Sequence, residues 1–497
     1  MLLADILYKR PREQDPVLFS NRRFADDEDF LRAALQVGFR ALRGDRFRRS
    51  PSFKRVVTIA ASMAAAPNHS LPKQSDDWAD TKAAYSFLHH PEVTPDLIQS
   101  VHRQRTREAC QPHPLVLGIQ DTTELDFTHR HVVTGLGPIG DGHGQGLLQH
   151  STLAVLPDGS LLGVLHQTIK PRLAAPENES RWERRQRAKE SDFWPESVEA
   201  VGAIGSGTRL VHVMDRGGDD FGTMIACGHH GVGFLIRAQH DRCVNAGTDK
   251  LWSHLQSQPA AGYRDVPVQA REGQPARVAR LTVRFSQVEL DPPKGDPRFK
   301  QTLTVRVVYA VEEHPPATVG EPIDWMLLTS EAVAAFVQAG ERIDWYCCRW
   351  VIEEWHKAEK TGCRLEASQL RDAESIMCLA AFIGVVAVRM LQLRDLAQSA
   401  TGPQAQNPDA PAHRPEALQK VVPVSWRVVV AHLAKCRPEA LTPQKFWLTI
   451  AKRGGFLGRK GDGQPGWQTI WRGWYDVMLM VQGVEMCNPP PDARTYG

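Results

Sequence analysis

Apolar residues recur at helical spacing through residues 1–105. Four segments carry this pattern: Phe30–Leu42, Val56–Ala65, Asp80–Leu88 and Pro95–Arg107. The last segment has a clear start, because Thr94 is placed to cap it and Pro95 occupies its first position. We therefore predict a helical N-terminal domain over residues 1–105.

From residue 106 to residue 397 the pattern changes to short apolar runs of strand length. These runs are Leu115–Gln120, Thr152–Leu156, Leu161–Ile169, Arg209–Met214 and Phe234–Arg237. The Pro157-Asp158-Gly159 turn joins the second run to the third as a hairpin, and a helix-sized gap precedes the last run. A strand, a hairpin and then a strand–helix–strand unit predict a mixed α/β sheet.

Residues 262–330 interrupt that order with a β insertion. Leu281–Leu290 and Leu303–Val311 alternate with a period near two, and Trp325–Thr329 is a third run. Such alternation is typical of an antiparallel sheet. Two helices are predicted to follow, a single one from Asp344 to Lys360 and another from Glu374 to Leu396 that packs on the sheet.

Residues 398–424 contain five prolines among polar residues, which predicts a linker. A helical domain follows at residues 425–497. In it Trp467, Trp471 and Trp474 stand at i, i+4 and i+7 and so form one apolar face. That face suits a core or a partner helix, and a core is the commoner role.

The composition fits a soluble cytoplasmic protein without a membrane span. The longest apolar run, Ile376–Val388, has 13 residues and is too short to cross a bilayer, so it predicts a buried helix. The N-terminus lacks the order of a signal peptide. The nine cysteines form no C-x-x-C pair, which indicates neither a disulfide framework nor a zinc site.

The formal net charge is only +3, so any basic surface must be local. Arg40–Arg55 holds seven cations against one acid, and Arg181–Lys189 holds five against one. Runs of this kind are more often solvated faces than phosphate-binding sites.

Three acids stand at positions suited to metal-dependent chemistry. Asp121 and Asp215 each follow a predicted strand, and Glu353 lies on the predicted 344–360 helix. Carboxylates from separate elements can hold two Mg²⁺ ions for an in-line phosphoryl transfer. Simpler roles stay open, because Asp121 could cap the strand end and Asp215 could pair with Arg216.

The predicted 344–360 helix gathers charged and aromatic side chains on one face. At about 100° per residue this face presents Tyr346, Arg349, Glu353, Lys357 and Lys360. The cations could grip phosphate and the ring could contact a base or a sugar. A solvated face with i,i+4 charge pairs is the alternative.

Four of these positions fit the pattern Y-x2-R-x3-E-x6-K, namely Tyr346, Arg349, Glu353 and Lys360. The surrounding RWVIEEWHKAEKTG resembles the signature helix of the bacterial DDE transposases of the insertion-sequence-four family, Tn-five type. Further segments resemble family motifs in the same order: WADTKAAYSFL, DTTELDF from Asp121, DRGGD from Asp215, DWMLLTSE from Asp324, and residues 451–474. The resemblance spans about residues 40–475.

The resemblance implies an RNase H-like mixed sheet with the antiparallel β insertion, flanked by a DNA-binding domain (1–105) and a dimerisation domain (425–497) that contains the Trp471 face. Asp121, Asp215 and Glu353 would hold Mg²⁺, with Mn²⁺ as a substitute. The DNA contacts would be Tyr346, Arg349, Lys360, Trp325, Trp350, Arg237, His356 and Lys357. Trp325 would stack near a base that is flipped out during hairpin formation.

The implied activity is cut-and-paste transposition. A homodimer would bridge two transposon ends in a synaptic complex on double-stranded DNA in a bacterial cytoplasm, form and resolve a hairpin, and join the 3′ ends to target DNA. Two alternatives remain, a catalytically silent end-binding regulator or inhibitor, and a nuclease that never joins strands. The chain departs from the family at Gly217-Gly218, which we expect to weaken the next helix by about 1 kcal/mol per glycine.

Overall fold

The computed structural model describes residues 69–487, with gaps at 76, 174–175, 177, 181–186, 188, 269–275, 295, 297, 318, 399–410, 423 and 460–461. The predicted helices Phe30–Leu42 and Val56–Ala65 and the basic cluster Arg40–Arg55 lie outside the described residues. Most of the second basic cluster, Arg181–Lys189, does so as well.

The described chain begins with three helices, α1 (Leu71–Gln74), α2 (Trp78–Leu88) and α3 (Pro95–Cys110). The Thr94 side chain accepts a hydrogen bond from the Leu97 backbone N–H, and Pro95 opens α3. The start of this helix is therefore confirmed, together with the cap that the sequence predicted.

A mixed sheet follows, and most of its longer strands form where the predicted apolar runs are. Its first half contains β1 (Leu115–Asp126), β2 (Gly137–Ile139), β3 (Gly144–Val155), β4 (Leu161–Lys170), α4 (Phe193–Val201), β5 (Arg209–Met214), α5 (Phe221–His229) and β6 (Gly233–Arg237). β1 pairs antiparallel with β3 and parallel with β5. β4 pairs antiparallel with β3, and β6 pairs parallel with β5. β1 is thus a central strand.

The β insertion continues this sheet. It starts before the predicted residue 262 and contributes β7 (Cys243–Val244), β8 (Asp249–Lys250), α6 (Leu251–Gln256), β9 (Gly262–Val268), β10 (Arg277–Leu290), β11 (Leu303–Val311) and β12 (Asp324–Thr329). β12 pairs antiparallel with β6, so the described strands form one sheet in the order β2-β3-β1-β5-β6-β12-β11-β10-β7-β8, with β4 on β3 and β9 on β10. The antiparallel insertion is confirmed.

The prediction of one unbroken helix from Asp344 to Lys360 is wrong. The chain forms α7 (Phe336–Cys347), α8 (Trp350–Lys357) and a π-helical turn (Ala358–Gly362). At the junction the backbone tightens, because the N–H groups of Cys348 and Arg349 reach carbonyls three residues back, at 3.1 Å each. A tighter turn followed by a wider one changes the direction of each side chain, so an ideal helical wheel misplaces residues beyond Arg349.

A long apolar helix, α9 (Ala373–Gln398), forms the centre of the main core. It is long and apolar enough to cross a membrane, but 78% of its apolar window is buried inside the protein. It packs on α3 and β4 on one side. The expectation of a buried helix holds, although the helix is longer than the 13-residue run suggested.

The C-terminal region adds α10 (Pro415–Val421), α11 (Val424–Leu433), α12 (Pro443–Arg453) and α13 (Trp467–Cys487). The side chains of Trp471 and Trp474 are only 4% and 2% exposed and belong to the core that includes α9. The aromatic stripe is therefore a core face. Of the two roles that the sequence allowed for this face, a core or a partner helix, the structure shows the core.

Candidate active site

Asp121 and Asp215 are neighbours across two parallel strands. The pairing of β1 with β5 ends at Ile119 opposite Val213, and each aspartate lies two residues further along its strand. Adjacent strands run about 4.8 Å apart, so both carboxylates emerge at the same edge of the sheet. The charge of Asp215 accordingly raises the pKa of Asp121.

Glu353, on α8, lies at the same edge of the sheet, and Arg349 forms ion pairs with both Glu353 and Asp121. Arg349 Nη1 lies 3.1 Å from Glu353 Oε1 and 3.5 Å from Asp121 Oδ2. Potential ligand atoms of Asp121, Glu353 and His356 also lie within 4.8 Å of one another. A strand acid, a helix acid and an imidazole therefore converge, with Asp215 beside them.

Burial dominates the protonation of this cluster. It raises the pKa of Asp121 to about 7, while the charge of Arg349 opposes the rise and the charges of Asp215 and Glu353 add to it. Burial also lowers the pKa of His356 to about 3, so its imidazole is neutral at neutral pH. His356 Nε2 has no hydrogen-bond partner among the described residues.

These donors fit a divalent cation. A desolvated carboxylate regains a favourable interaction when a cation binds, and carboxylate oxygens suit Mg²⁺ and Mn²⁺. The neutral imidazole adds a nitrogen donor of the kind that transition metals accept. Asp121, Glu353 and His356 are the residues that would hold such an ion, and Asp215 stands next to them.

His356 was expected to face DNA from the flank of the helix. It is 5% exposed, and it lies one turn after Glu353 in α8, so its ring lies with the acids. The structure therefore does not support a direct DNA contact, and it assigns His356 to the acid cluster instead. The spacing Glu353-x-x-His356 was visible in the sequence as an i,i+3 pair of possible ligands.

Tyr346, Arg237 and Trp325 form one contact set beside the acids. The rings of Trp325 and Tyr346 meet edge to face, with centroids 5.0 Å apart. Arg237 donates to the Tyr346 hydroxyl and, through Nη2, to the Asp324 carbonyl at 2.9 Å. Tyr346 is only 5% exposed, so Tyr346 and Arg237 support the Trp325 ring and leave little of Tyr346 for the DNA contact expected of it.

The remaining predicted DNA contacts lie at or near the surface. The Lys360 ammonium lies 2.5 Å from the Glu124 carbonyl and 3.7 Å from Glu366. Lys357 is exposed and pairs with Glu354 at 2.9 Å, which keeps it away from the acid cluster. The half-buried Trp350 has the Arg349 guanidinium 6.0 Å from its ring.

Gly217 and Gly218 lie before α5 and not in it, so the expected weakening of that helix does not arise. They form a 3₁₀ turn after Asp215, whose Oδ1 accepts from the Gly217 N–H at 2.8 Å. A Cβ at Gly217 would come within 2.8 Å of Trp194, and one at Gly218 within 2.6 Å of Met214. Close packing of the turn that carries Asp215 therefore requires glycine at both positions.

Sequence reasoning missed the contact between the C-terminal helix and α8. Glu354 Oε2 accepts hydrogen bonds from Arg394 Nη1 at 3.0 Å and from Trp467 Nε1 at 3.3 Å. Gly362, at the end of the π-helical turn, packs on Trp471 so closely that a Cβ would lie 2.3 Å from its Nε1. No local pattern in the sequence predicts these distant pairs.

Two segments of the chain match known protein families. Residues 48–93 match the family described as Transposase DNA-binding, and residues 416–490 match the family described as Transposase Tn5 dimerisation domain. The class of protein that these matches define is a transposase with DNA-binding and dimerisation regions. The two matches support the assignment of the chain to the Tn5-type transposases, as its signature motifs indicated. Both matched segments lie outside the acid cluster.

Proposed function

We propose that this chain is a cut-and-paste DDE transposase whose catalytic carboxylates are Asp121, Asp215 and Glu353. The observation that carries the proposal is their convergence. Two acids emerge side by side from parallel strands, and Arg349 joins the first of them to the third. A cap or an isolated ion pair would not need three carboxylates around one arginine.

The sheet supports an RNase H-like core. In the order β4-β3-β1-β5-β6, β3 runs antiparallel to β1 and β4 antiparallel to β3, whereas β5 and β6 run in the direction of β1. The resemblance stated for the signature motifs implies this core, with the first acid on the central strand. The β insertion then extends the sheet and carries Trp325 to the acid edge.

The proposed roles of the side chains follow from their positions. When bound, Mg²⁺ ions would activate the attacking oxygen and stabilise the leaving oxygen of the phosphodiester. Asp121, Asp215 and Glu353 bind the ions, with His356 as a neighbouring donor. Arg349 and Lys360 place positive charge where phosphate oxygens gather during transfer.

Trp325 is proposed to hold an extruded base. Its half-buried ring packs against Tyr346 in an edge-to-face arrangement, which holds the ring beside the acids. Stacking of a base on an aromatic ring offsets part of the unstacking cost of a few kcal/mol. Trp350, beside Arg349, is a second ring near the same strand, and Lys357 is an outer contact to the DNA backbone.

We propose that the working form is a homodimer on two transposon ends, active on chromosomal DNA in the cytoplasm. The dimer contact would involve apolar residues that remain exposed in the matched C-terminal segment: Val424, Val428, Leu479 and Val484. Exposed apolar residues of this kind gain stability when a partner covers them.

The test uses a plasmid that carries the coding region with its flanking inverted repeats. Purified protein with Mg²⁺ or Mn²⁺ should release the element and join it to a second plasmid, and chelator should stop both steps. Glu353→Gln should abolish cleavage and leave end binding intact, whereas Glu341→Gln, on the exposed face of α7, should change neither cleavage nor end binding.

Three outcomes would redirect the proposal. End binding without cleavage by the unmodified protein would favour the silent regulator. Cleavage without strand transfer would favour a nuclease. Full cleavage by Glu353→Gln would remove Glu353 from the catalytic set.

A further inference from the structure

Two clefts adjoin on the surface near Lys360. The first, of about 770 Å³, lies between the segment after β1, the π-helical turn and the start of α13. The second, of about 420 Å³, lies between α1, α2 and α9. Arg364, Ala367 and Arg472 line both clefts, so the two form one groove with these side chains at its middle.

The groove carries unpaired positive charge. The second cleft is lined by His69, Lys73, Arg364 and Arg472, and no Asp or Glu is among its described lining residues. Within the described part of the chain, no ion pair involves Lys73, Arg364 or Arg472. A row of cations without carboxylate partners favours an anionic ligand that follows the groove.

The acids of the first cleft are already engaged. The Asp126 carboxylate accepts from the backbone and the hydroxyl of Thr128, at 2.8 and 2.6 Å. Glu366 accepts from the Asp126 N–H at 3.0 Å and lies 3.7 Å from Lys360. These bonds do not remove the charge of the acids, but the four cations that line the first cleft, Arg130, Lys360, Arg364 and Arg472, outnumber its two carboxylates.

The walls of the groove are held in fixed positions. Arg364 has a φ of +53°, a left-handed conformation that is uncommon for a residue other than glycine. Just before it, Gly362 packs directly on Trp471 of α13. The π-helical turn and the C-terminal helix are thus joined beneath the two arginines, and the groove is preformed.

The ends of the groove indicate its ligand. One end is lined by His69, Lys73 and Tyr85, which lie within the segment that matches the transposase DNA-binding family. The other end reaches Lys360, seven residues after Glu353. We propose that this groove binds the phosphate backbone of the DNA between the N-terminal DNA-binding segment and the acid cluster, with Arg364 and Arg472 as its central contacts. This inference rests on the proposed function, since it assigns a path for the same DNA.

Salt dependence of DNA binding tests the groove directly. The full chain is titrated against a fluorescently labelled linear duplex of mixed sequence, in chelator, over a range of salt concentrations. Each phosphate contact contributes about 0.9 to the slope of log K against log salt. Arg364→Gln and Arg472→Gln should each reduce the slope by about 0.9 and weaken binding about fivefold at 0.15 M salt, and the double variant should lose about thirtyfold.

Two further variants separate lost charge from lost structure. Arg364→Lys keeps the charge and the left-handed backbone and should retain the slope of the unmodified chain. Arg280→Gln removes an exposed arginine of β10, three strands beyond β6 in the sheet, and should change neither slope nor affinity.

The groove and the catalytic proposal fail in different ways. An unchanged salt slope in the double variant, with plasmid cleavage by the unmodified chain intact, would overturn the groove and leave the transposase. A reduced slope in a protein that cleaves no DNA with Mg²⁺ would support the groove and overturn the catalytic role. An equal loss with Arg280→Gln would also overturn the groove, because the effect would then follow net charge alone.

Discussion

Glu359 offers a quantitative test of how the π-helical turn is stabilised. Its side chain is fully buried, and Gln149 Nε2 donates a hydrogen bond to its Oε2 at 2.7 Å. Burial raises the pKa of this carboxyl from 4.5 to about 8, although the hydrogen bonds from Gln149 and Gln167 and the charge of Lys360 oppose the rise. The group is therefore a neutral acid at neutral pH.

The sign of the pH effect follows from proton binding. In the unfolded chain Glu359 releases its proton near its ordinary pKa of 4.5, whereas the folded chain holds it up to a pKa of about 8. Between these values the folded state binds more protons, so stability falls as pH rises. At about 1.4 kcal/mol per pKa unit, the loss across the window is at most about 5 kcal/mol.

Glu359→Gln removes this dependence, because glutamine keeps the shape and has no proton to lose. We expect the variant to equal the unmodified chain near the acid end of the window and to exceed it above about pH 8. The measurement is the midpoint of thermal unfolding of both proteins in chelator, from about pH 5 to about pH 9. The exposed substitution Glu341→Gln is the control. A difference between variant and unmodified chain that does not change with pH would refute the reasoning.

Three other substitutions test separate contacts. Trp325→Ala should slow hairpin formation more than the first nick in a gel-based time course, and equal slowing of both steps would contradict the stacking role. Gly362→Ala should lower the thermal midpoint through a clash with Trp471 that costs about 1–3 kcal/mol, while Gly466→Ala, where a Cβ meets open space, should not. Mn²⁺ should raise the thermal midpoint of the unmodified chain, and Asp121→Asn should lose most of that rise; an unchanged rise would place the ion elsewhere.

The apolar runs of the sequence located the strands because buried strands must be apolar. The apolar runs predicted too short a β3, because Gln149, His150 and Ser151 are polar yet fully buried. Their side chains have hydrogen-bond partners on the π-helical turn, β1 and β4. Their partners come from distant segments, so no local pattern could extend the strand over them. Burial of polar residues in this way depends on the tertiary fold.

The positions of Asp121 and Asp215 at strand ends could be predicted from the sequence. An acid after an apolar run marks the end of a strand, and parallel neighbours bring such ends to one edge. The sequence placed His356 one helical turn after Glu353 but did not predict its burial, because burial depends on what packs over α8. The burial of Trp471 was likewise undecided, because one apolar stripe serves a core and an interface equally well.

The contact of Trp467 and Arg394 with Glu354 joins the C-terminal helix to the next residue after Glu353. A second chain that seats on the outer side of α13 would press on the same helix that carries the third carboxylate. Under the proposed function, a shift of the C-terminal helix would therefore reach the proposed catalytic acid through the side chain next to it.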